Sequence, residues 1–180
     1  MLKRIAAMLL VIISFSLTSC VSTANGLKSY IDTADGYQFL YPNGWVPVTV
    51  SSNGPDVVFR DLIEQTENVS VVISPVTGNK TLADLGSPTE VGYTLSKTAI
   101  APVGSGREAE LVNALSRNTG DKNYYVLEYA VKLPNQLRHN LASVAISRGK
   151  LFTFNISATE ERWLKVKELF EKATKSFSVY

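Results

Sequence analysis

The sequence has few of the residues on which catalysis and metal binding usually depend. Its 180 residues include one cysteine, Cys20, and one histidine, His139. A single cysteine excludes a disulfide within the chain, and structural zinc sites need several Cys or His ligands. The sequence also has no Gly-x-x-x-x-Gly-Lys phosphate loop and no Gly-x-Ser-x-Gly nucleophile elbow. These absences predict a protein that is not an enzyme and that requires no cofactor.

An excess of charge of either sign is also missing. The chain has 18 Lys and Arg residues against 16 Asp and Glu residues, and 45% of its residues are hydrophobic. Lys3 and Arg4 lie in a segment that we expect to be removed, which leaves a near-neutral domain with a composition suited to a packed core. Because nucleic-acid binding needs a concentrated basic surface, the sequence predicts that nucleic acid is not a partner.

The first twenty residues have the three parts of a secretory signal. Lys3 and Arg4 supply the positive start, and residues 5–17 form an apolar run too short to span a membrane comfortably. Residues 17–20, Leu-Thr-Ser-Cys, resemble a bacterial lipobox, whose cysteine receives a diacylglycerol thioether and becomes the new N-terminus. We therefore predict a signal peptide at 1–19, lipid attachment at Cys20, a tether at 20–31 and one domain at 32–180. The alternative is an ordinary cleaved signal with an incidental cysteine.

Turn residues and alternating segments predict an α+β domain. Short strands are expected at residues 37–41, 45–50, 57–61 and 69–74, and a helix at 89–100 in which Gly92 is unfavourable. Four longer strands follow at 108–117, 123–133, 137–147 and 151–157. The links between them are short, which predicts antiparallel hairpins.

The last segment carries the clearest helical pattern. Apolar side chains recur at intervals of three and four and form one stripe, made of Trp163, Val166, Phe170, Ala173 and Phe177. The spacing of Ser157 and Glu160 is that of a capping box, which predicts that the helix begins there.

Several segments resemble the PsbP family, which is named after the extrinsic lumenal protein of photosystem II. They are DGYQFLYPNGW at 35–45, DVVFRD at 56–61, NVSV at 68–71, KNYY at 122–125, GKLF at 149–152 and the C-terminal ERW…SFSVY. The resemblance implies an α-β-α sandwich around a central antiparallel sheet (PsbP/Mog1-like). Combined with the lipobox, it implies a cyanobacterial member, lipid-anchored on the lumenal side of the thylakoid membrane.

The resemblance also implies what the protein does. Plant members support calcium and chloride retention at the manganese cluster through an extended basic N-terminal region. Here Lys28 is the one charged residue between Cys20 and Asp32. An auxiliary role in the assembly, repair or stabilisation of photosystem II is therefore the better expectation. The expected partners are photosystem II subunits or assembly intermediates, and the membrane through the lipid; the chain itself is expected to be a monomer.

A metal site is the alternative that the resemblance leaves open. In plant members a His and an acidic residue are linked to divalent metal, and their counterparts here are His139 and Glu160. They would bind Zn or Mn weakly, in a metal-binding or delivery module at the lumenal surface. Taken without the resemblance, the alternation of residues 137–147 predicts that His139 is an exposed polar side chain. The capping box would also compete for Glu160.

Overall fold

The computed structural model describes residues 26–51 and 54–180. Cys20 and the predicted signal peptide lie outside the described residues, so lipid attachment stays a prediction. Within the described ranges no helix is both long and apolar enough to cross a membrane.

The main sheet has seven antiparallel strands in the order β3-β4-β5-β9-β8-β7-β6. Its strands are β3 (Trp45–Pro47), β4 (Val57–Asp61), β5 (Asn68–Pro75), β6 (Glu108–Thr119), β7 (Lys122–Leu133), β8 (Gln136–Ser147) and β9 (Lys150–Thr159). Two-residue turns join β6 to β7, β7 to β8 and β8 to β9. The last of these turns, Arg148-Gly149, has φ of 50° and 69°, the left-handed backbone that a tight hairpin requires. The predicted hairpins are confirmed.

The two edges of the main sheet are irregular. Strand β6 forms one edge, and its pairing with β7 shifts register between Leu111 and Asn113. This bulge leaves Val112 without a partner residue on β7. Strand β3 forms the other edge and has only three residues, of which the last is Pro47. Val48 N–H still donates to the Val58 carbonyl at 2.9 Å, so the nitrogen of Pro47 faces away from β4, where its missing donor opposes the addition of another strand.

A second, three-stranded sheet was not predicted. It has the order β1-β2-β10, formed by β1 (Leu27–Asp32), β2 (Tyr37–Pro42) and β10 (Ser178–Val179). The tether predicted at 20–31 is therefore too long at its C-terminal end, because β1 pairs with β2 from Leu27 onward. Buried and exposed residues do not alternate along β1, because Leu27 is its one buried residue, and so no alternating pattern predicts this strand.

Helices cover both faces of the main sheet. Helix α2 (Glu160–Ser176) and the small sheet enclose one core, which includes Phe39, Phe154 and Phe170. Helix α1 (Pro88–Leu95), which continues into a wider π-type turn over Ser96–Ile100, encloses a second core against β6, β7 and β8. The predicted α-β-α arrangement is confirmed, and so is the apolar stripe of α2, whose side chains are buried.

Helix α1 lies close to the sheet because residue 92 is glycine. A Cβ atom added to Gly92 would lie 2.8 Å from Leu111 Cδ2 and 3.3 Å from Leu127 Cδ2. The carbonyl oxygen of Gly92 also accepts a hydrogen bond of 3.0 Å from the buried hydroxyl of Tyr129. The residue that weakens the helical pattern in the sequence is thus the one that permits the helix to pack.

The capping box predicted for the last helix is wrong. Ser157 belongs to β9, and α2 begins at Glu160 with Thr159 as an N-cap whose side chain makes no capping bond. The structure has its capping box at α1 instead, where Glu90 N–H donates to Ser87 Oγ and the Ser87 N–H donates to the Glu90 carboxylate. The Ser87 N–H and the Ser87 hydroxyl both donate to the Glu90 carboxylate, and they lower the pKa of Glu90.

The two N-caps give a matched pair of variants. We expect Ser87→Ala to lower the free energy of unfolding by about 1 kcal/mol, because it removes an N-cap bond. Thr159→Ala, the control, removes no such bond and should change it by much less. Chemical denaturation of both variants measures the difference. The effect of Ser87→Ala should shrink as the pH falls through the lowered pKa of Glu90, since protonation removes the carboxylate half of the box. Equal losses in the two variants would contradict the assignment of the cap.

Candidate metal site at His139

His139 lies between two carboxylates. Its Nδ1 atom is 2.9 Å from Glu160 Oε2, and its Nε2 atom is 2.8 Å from Glu128 Oε1. The residue is 7% exposed, so the prediction of an exposed histidine is wrong. The reason is that β8 is covered on both faces, and the face that carries His139 lies under α2.

Helix α2 supplies two of the groups around the ring. Glu160 is its first residue, and Trp163 follows one turn later on the same side of the helix. The indole of Trp163 stacks on the imidazole, with ring centroids 4.0 Å apart and an interplanar angle of 11°. The structure therefore brings the predicted pair, His139 and Glu160, together, and it fixes the ring on three sides.

Glu128 is the member of the site that the sequence reasoning missed. It lies on β7, where Ala130 pairs with His139 and Glu128 pairs with Leu141. Glu128 is therefore the diagonal neighbour of His139 on the same face, close enough for side-chain contact. Its side chain is largely buried, with 18% exposed. The two-residue turn at 134–135 was a signal that could have found it, because that turn sets the register.

The arrangement supports two chemical states. With a proton on each ring nitrogen, the imidazolium donates to both carboxylates at once. With Nδ1 unprotonated, Glu128 holds the Nε2–H group and leaves Nδ1 and the Glu160 carboxylate as two neighbouring ligand atoms. A carboxylate that orients the far nitrogen of a ligating histidine is a common feature of metal sites. The residues present thus fit a divalent ion with one nitrogen and one oxygen ligand from the chain.

A surface depression of about 630 Å³ opens beside this site. Glu160 and His139 form one end of its lining, and the rest comes from β6, β7 and the start of β8. Exposed apolar residues of the lining include Val112 and Leu137. Two further carboxylates, Glu108 and Glu110, belong to the same lining. Lys132 and Arg138 line it as well, and Lys132 Nζ lies 3.4 Å from Glu108 Oε2, so the depression is a surface with charges of both signs and apolar patches.

A second carboxylate cluster lies elsewhere, at Asp32, Asp35 and Asp56, whose oxygen atoms lie within 4.8 Å of one another. Other side chains of the protein partly compensate its charge. Lys150 Nζ lies 2.7 Å from Asp35 Oδ1, and the Tyr37 hydroxyl donates to Asp56 Oδ2 at 2.5 Å. Burial, and then Asp56, raise the pKa of Tyr37, so its hydroxyl keeps the proton that it donates. The described contacts of this cluster therefore neutralise one of its three carboxylates and give a second a neutral donor.

Comparison with known proteins agrees with this architecture. A family model described as PsbP matches residues 25–179. The chain belongs to the PsbP family. This confirms the resemblance drawn from the sequence segments.

Individual PsbP-family relatives match over the whole length. The chain is 51% identical over 185 residues to CyanoP of Thermosynechococcus vestitus, covering 100% of both chains. It is 49% identical over 184 residues to CyanoP of Synechocystis sp., covering 99% of this chain and 97% of the relative. The solution structure of CyanoP from Synechocystis sp. PCC 6803 matches with a TM-score of 0.75 and 50% identity, over 92% of this chain and 99% of that chain.

The fold extends beyond the PsbP family. The Ran-binding protein Mog1p of Saccharomyces cerevisiae matches with a TM-score of 0.50 at 13% identity, over 85% of this chain and 95% of that chain. At this identity the likeness concerns the fold alone. The predicted PsbP/Mog1-like fold is confirmed.

Trp163 should be a main support of both the site and the core. It is 4% exposed and also packs edge-on against Phe170. We expect Trp163→Ala to lower the free energy of unfolding by about 3–5 kcal/mol, because it leaves a large cavity. Leu164→Ala is the matched control on the same helix, since Leu164 is 86% exposed. Chemical denaturation measures both, and a loss below about 1 kcal/mol for Trp163→Ala would contradict the packing described here.

Proposed function

We propose that this PsbP-family chain is a non-catalytic lipoprotein associated with photosystem II. It is held on the lumenal side of the cyanobacterial thylakoid membrane through Cys20, and it acts as a monomer in assembly, repair or stabilisation of the oxygen-evolving side. The observation that carries the proposal is the full-length likeness to CyanoP, 51% identical over 185 residues. Chloroplastic PsbP-like protein 1 of Arabidopsis thaliana, 32% identical over 91% of this chain, adds a photosynthetic relative.

The chemistry of the His139 site supports a non-catalytic role. His139 is the one histidine in the sequence, and its two nitrogens face Glu128 and Glu160. A general base for a serine or cysteine nucleophile needs a ring nitrogen within hydrogen-bond reach of that nucleophile. In this structure both nitrogens are committed to carboxylates.

The predicted lipid would determine which end of the domain faces the membrane. Five residues separate Cys20 from Gly26, a span of at most about 20 Å when fully extended. Gly26 lies beside the turn before β3, because its carbonyl accepts from Asn43 N–H. Trp45 pairs with Asp61, so the loop after β4 is at the same end, and there Ile63 is 87% exposed. An apolar loop tip next to the anchor suits a membrane-facing end.

Affinity purification from cyanobacterial thylakoids tests the proposal. The C-terminally tagged chain should co-purify photosystem II subunits or an assembly intermediate in a mild detergent. The control is an unrelated soluble domain fused to residues 1–25 of this chain, which carries the same predicted anchor but none of the described surface. Absence of photosystem II subunits from the first purification, or equal recovery with the control, would contradict the proposal.

The variant Cys20→Ser, in the same experiment, separates anchoring from docking. We expect it to move the chain from the membrane fraction to the soluble fraction and to reduce co-purification. The physical reason is that an anchor raises the effective concentration of the domain near a membrane-embedded partner. Full retention of the variant on membranes would mean that protein contacts, and not a lipid, hold the chain.

A divalent-metal module is the second candidate. It is favoured by the position of His139 between the carboxylates of Glu128 and Glu160. His139 Nδ1 and Glu160 would hold the ion, with Glu128 orienting the ring. A metal ion there would add positive charge at the end of the depression formed by His139 and Glu160. Two ligands from the chain make a weak site, which suits zinc or manganese that is delivered or sensed and not stored.

Calorimetric titration with zinc or manganese tests this candidate. We expect His139→Ala to abolish binding at this site, and Glu128→Gln to weaken it by about tenfold, as is usual for a group that orients a ligand. Asp35→Asn is the control, because Asp35 belongs to the separate carboxylate cluster. Unchanged metal binding in His139→Ala together with loss of binding in Asp35→Asn would show that the metal binds at the carboxylate cluster and not at His139.

A further inference from the structure

The second face of the main sheet is polar where helix α1 does not cover it. Along β9, alternate residues enter the core beneath α2, and the others, Thr153, Asn155 and Ser157, point to the opposite face. They form part of a groove of about 450 Å³. We call this the arginine groove, and its defining residues are Arg107, Arg138, Asn140, Thr153 and Asn155.

Among the described residues that line the arginine groove, Arg107 and Arg138 are the charged ones, and none is a carboxylate. Arg138 Nη2 donates to Thr66 O and to Ser157 Oγ, both at 2.6 Å, and its Nη1 donates to Gln136 Oε1 at 3.3 Å. All three partners are neutral. In the part of the chain that the structure describes, the guanidinium of Arg107 makes no hydrogen bond or ion pair. Both positive charges are available to an anion.

The two guanidinium groups act on each other. Burial, and then the charge of Arg107, lower the pKa of Arg138, while Glu67 opposes them. Glu67 does not neutralise Arg138, because its carboxylate is bound by Arg162. A partly buried cation beside a second cation is unfavourable, and an anion between them would remove that cost.

An unpartnered acceptor lies in the same groove. Asn140 is 8% exposed, and its Nδ2 donates to Asn155 Oδ1 at 3.2 Å. Its Oδ1 atom is buried and has no hydrogen-bond partner. Leaving a buried amide oxygen unpaired costs free energy. Because Asn140 lines the groove, a rotation of its side chain would bring this oxygen to a donor N–H of a ligand.

We propose that the arginine groove binds the carboxyl-terminal segment of a polypeptide. The terminal carboxylate would lie at Arg107 and Arg138, and a backbone N–H of the same segment would donate to Asn140 Oδ1. A simple oxyanion supplies no donor, and a volume of about 450 Å³ is of the size that holds a ligand of several residues. Val72 and Leu133, two half-buried apolar residues of the lining, would contact the side chains of the segment. Capture of a chain terminus by fixed donors is a recurring mode of peptide recognition.

This proposal goes beyond the photosystem II association and does not depend on it. It concerns a groove on the face opposite the one that carries His139. It is also tested on the purified chain alone. A negative result of the purification from thylakoids would therefore not contradict the peptide-binding proposal, and a negative peptide titration would not contradict the photosystem II association.

Nuclear magnetic resonance titration of the isotope-labelled full chain in a mild detergent tests the proposal. The probes are N-acetyl-tetra-alanine with a free carboxylate, the same peptide with a C-terminal amide, N-acetyl-Ala-Glu-Ala-Ala amide, and inorganic sulfate. The free-carboxylate peptide should shift the amide signals of Asn140, Thr153 and Asn155 in a saturable way. The amidated peptide should bind at least about tenfold more weakly, because it lacks the charge-assisted bonds.

Two variants complete the test. Arg107→Gln should weaken binding of the free-carboxylate peptide by about tenfold, the effect of losing one charge-assisted hydrogen bond. Arg60→Gln removes the same charge from another exposed arginine and should leave binding unchanged. Both positions are exposed, so both variants should fold. Three results would overturn the proposal. One is that the amidated peptide binds as tightly as the free-carboxylate peptide, and another is that the internal-Glu peptide or sulfate binds more tightly than it does. The third is an equal loss of binding in Arg107→Gln and Arg60→Gln.

Discussion

Strand β8 lies between β7 and β9 with a helix on each side, so its alternate residues belong to two different cores. Leu141 and Ala145 pack in the core under α2, and Ala142 and Val144 pack in the core under α1. A one-residue slip of register would exchange the two sets and destroy both cores. The same register decides that His139 meets Glu128, and that Asn140 faces the arginine groove. Fold and candidate sites therefore depend on one constraint, the pairing of β8 with its neighbours.

Local patterns in the sequence predict much of this fold. The four long strands and both helices follow from alternation, from apolar spacing and from short turns, because these features act between residues close in sequence. Glu128 could have been added to the site, since the turn at 134–135 sets Ala130 opposite His139. The burial of His139 could not be predicted, because it depends on where α2 lies. Strands β1 and β10 were also missed, since β10 pairs with a strand about 140 residues earlier and is only two residues long.

A near-neutral composition conceals two neighbouring surfaces that differ in charge. The depression beside His139 has three carboxylates, Glu108, Glu110 and Glu160, and two cations, Lys132 and Arg138, whereas the described lining of the arginine groove has two cations and no carboxylate. Arg138 and Val131 contribute to both linings, so the two surfaces adjoin. Opposite charges this close produce a strong local field that a net charge does not reveal. A partner that carries both signs could be oriented as well as bound.

The irregular edges of the main sheet have a consequence for crowding. A free, flat edge strand can pair with another copy, and repeated pairing leads to aggregation. Here one edge is broken by the bulge at Val112 and carries the charges of Glu108 and Glu110, and the other stops after three residues at Pro47. The proposed anchor would confine the chain to a membrane plane, where molecules meet far more often than in solution. The interrupted edges of the main sheet oppose the pairing of two copies along a full-length strand there.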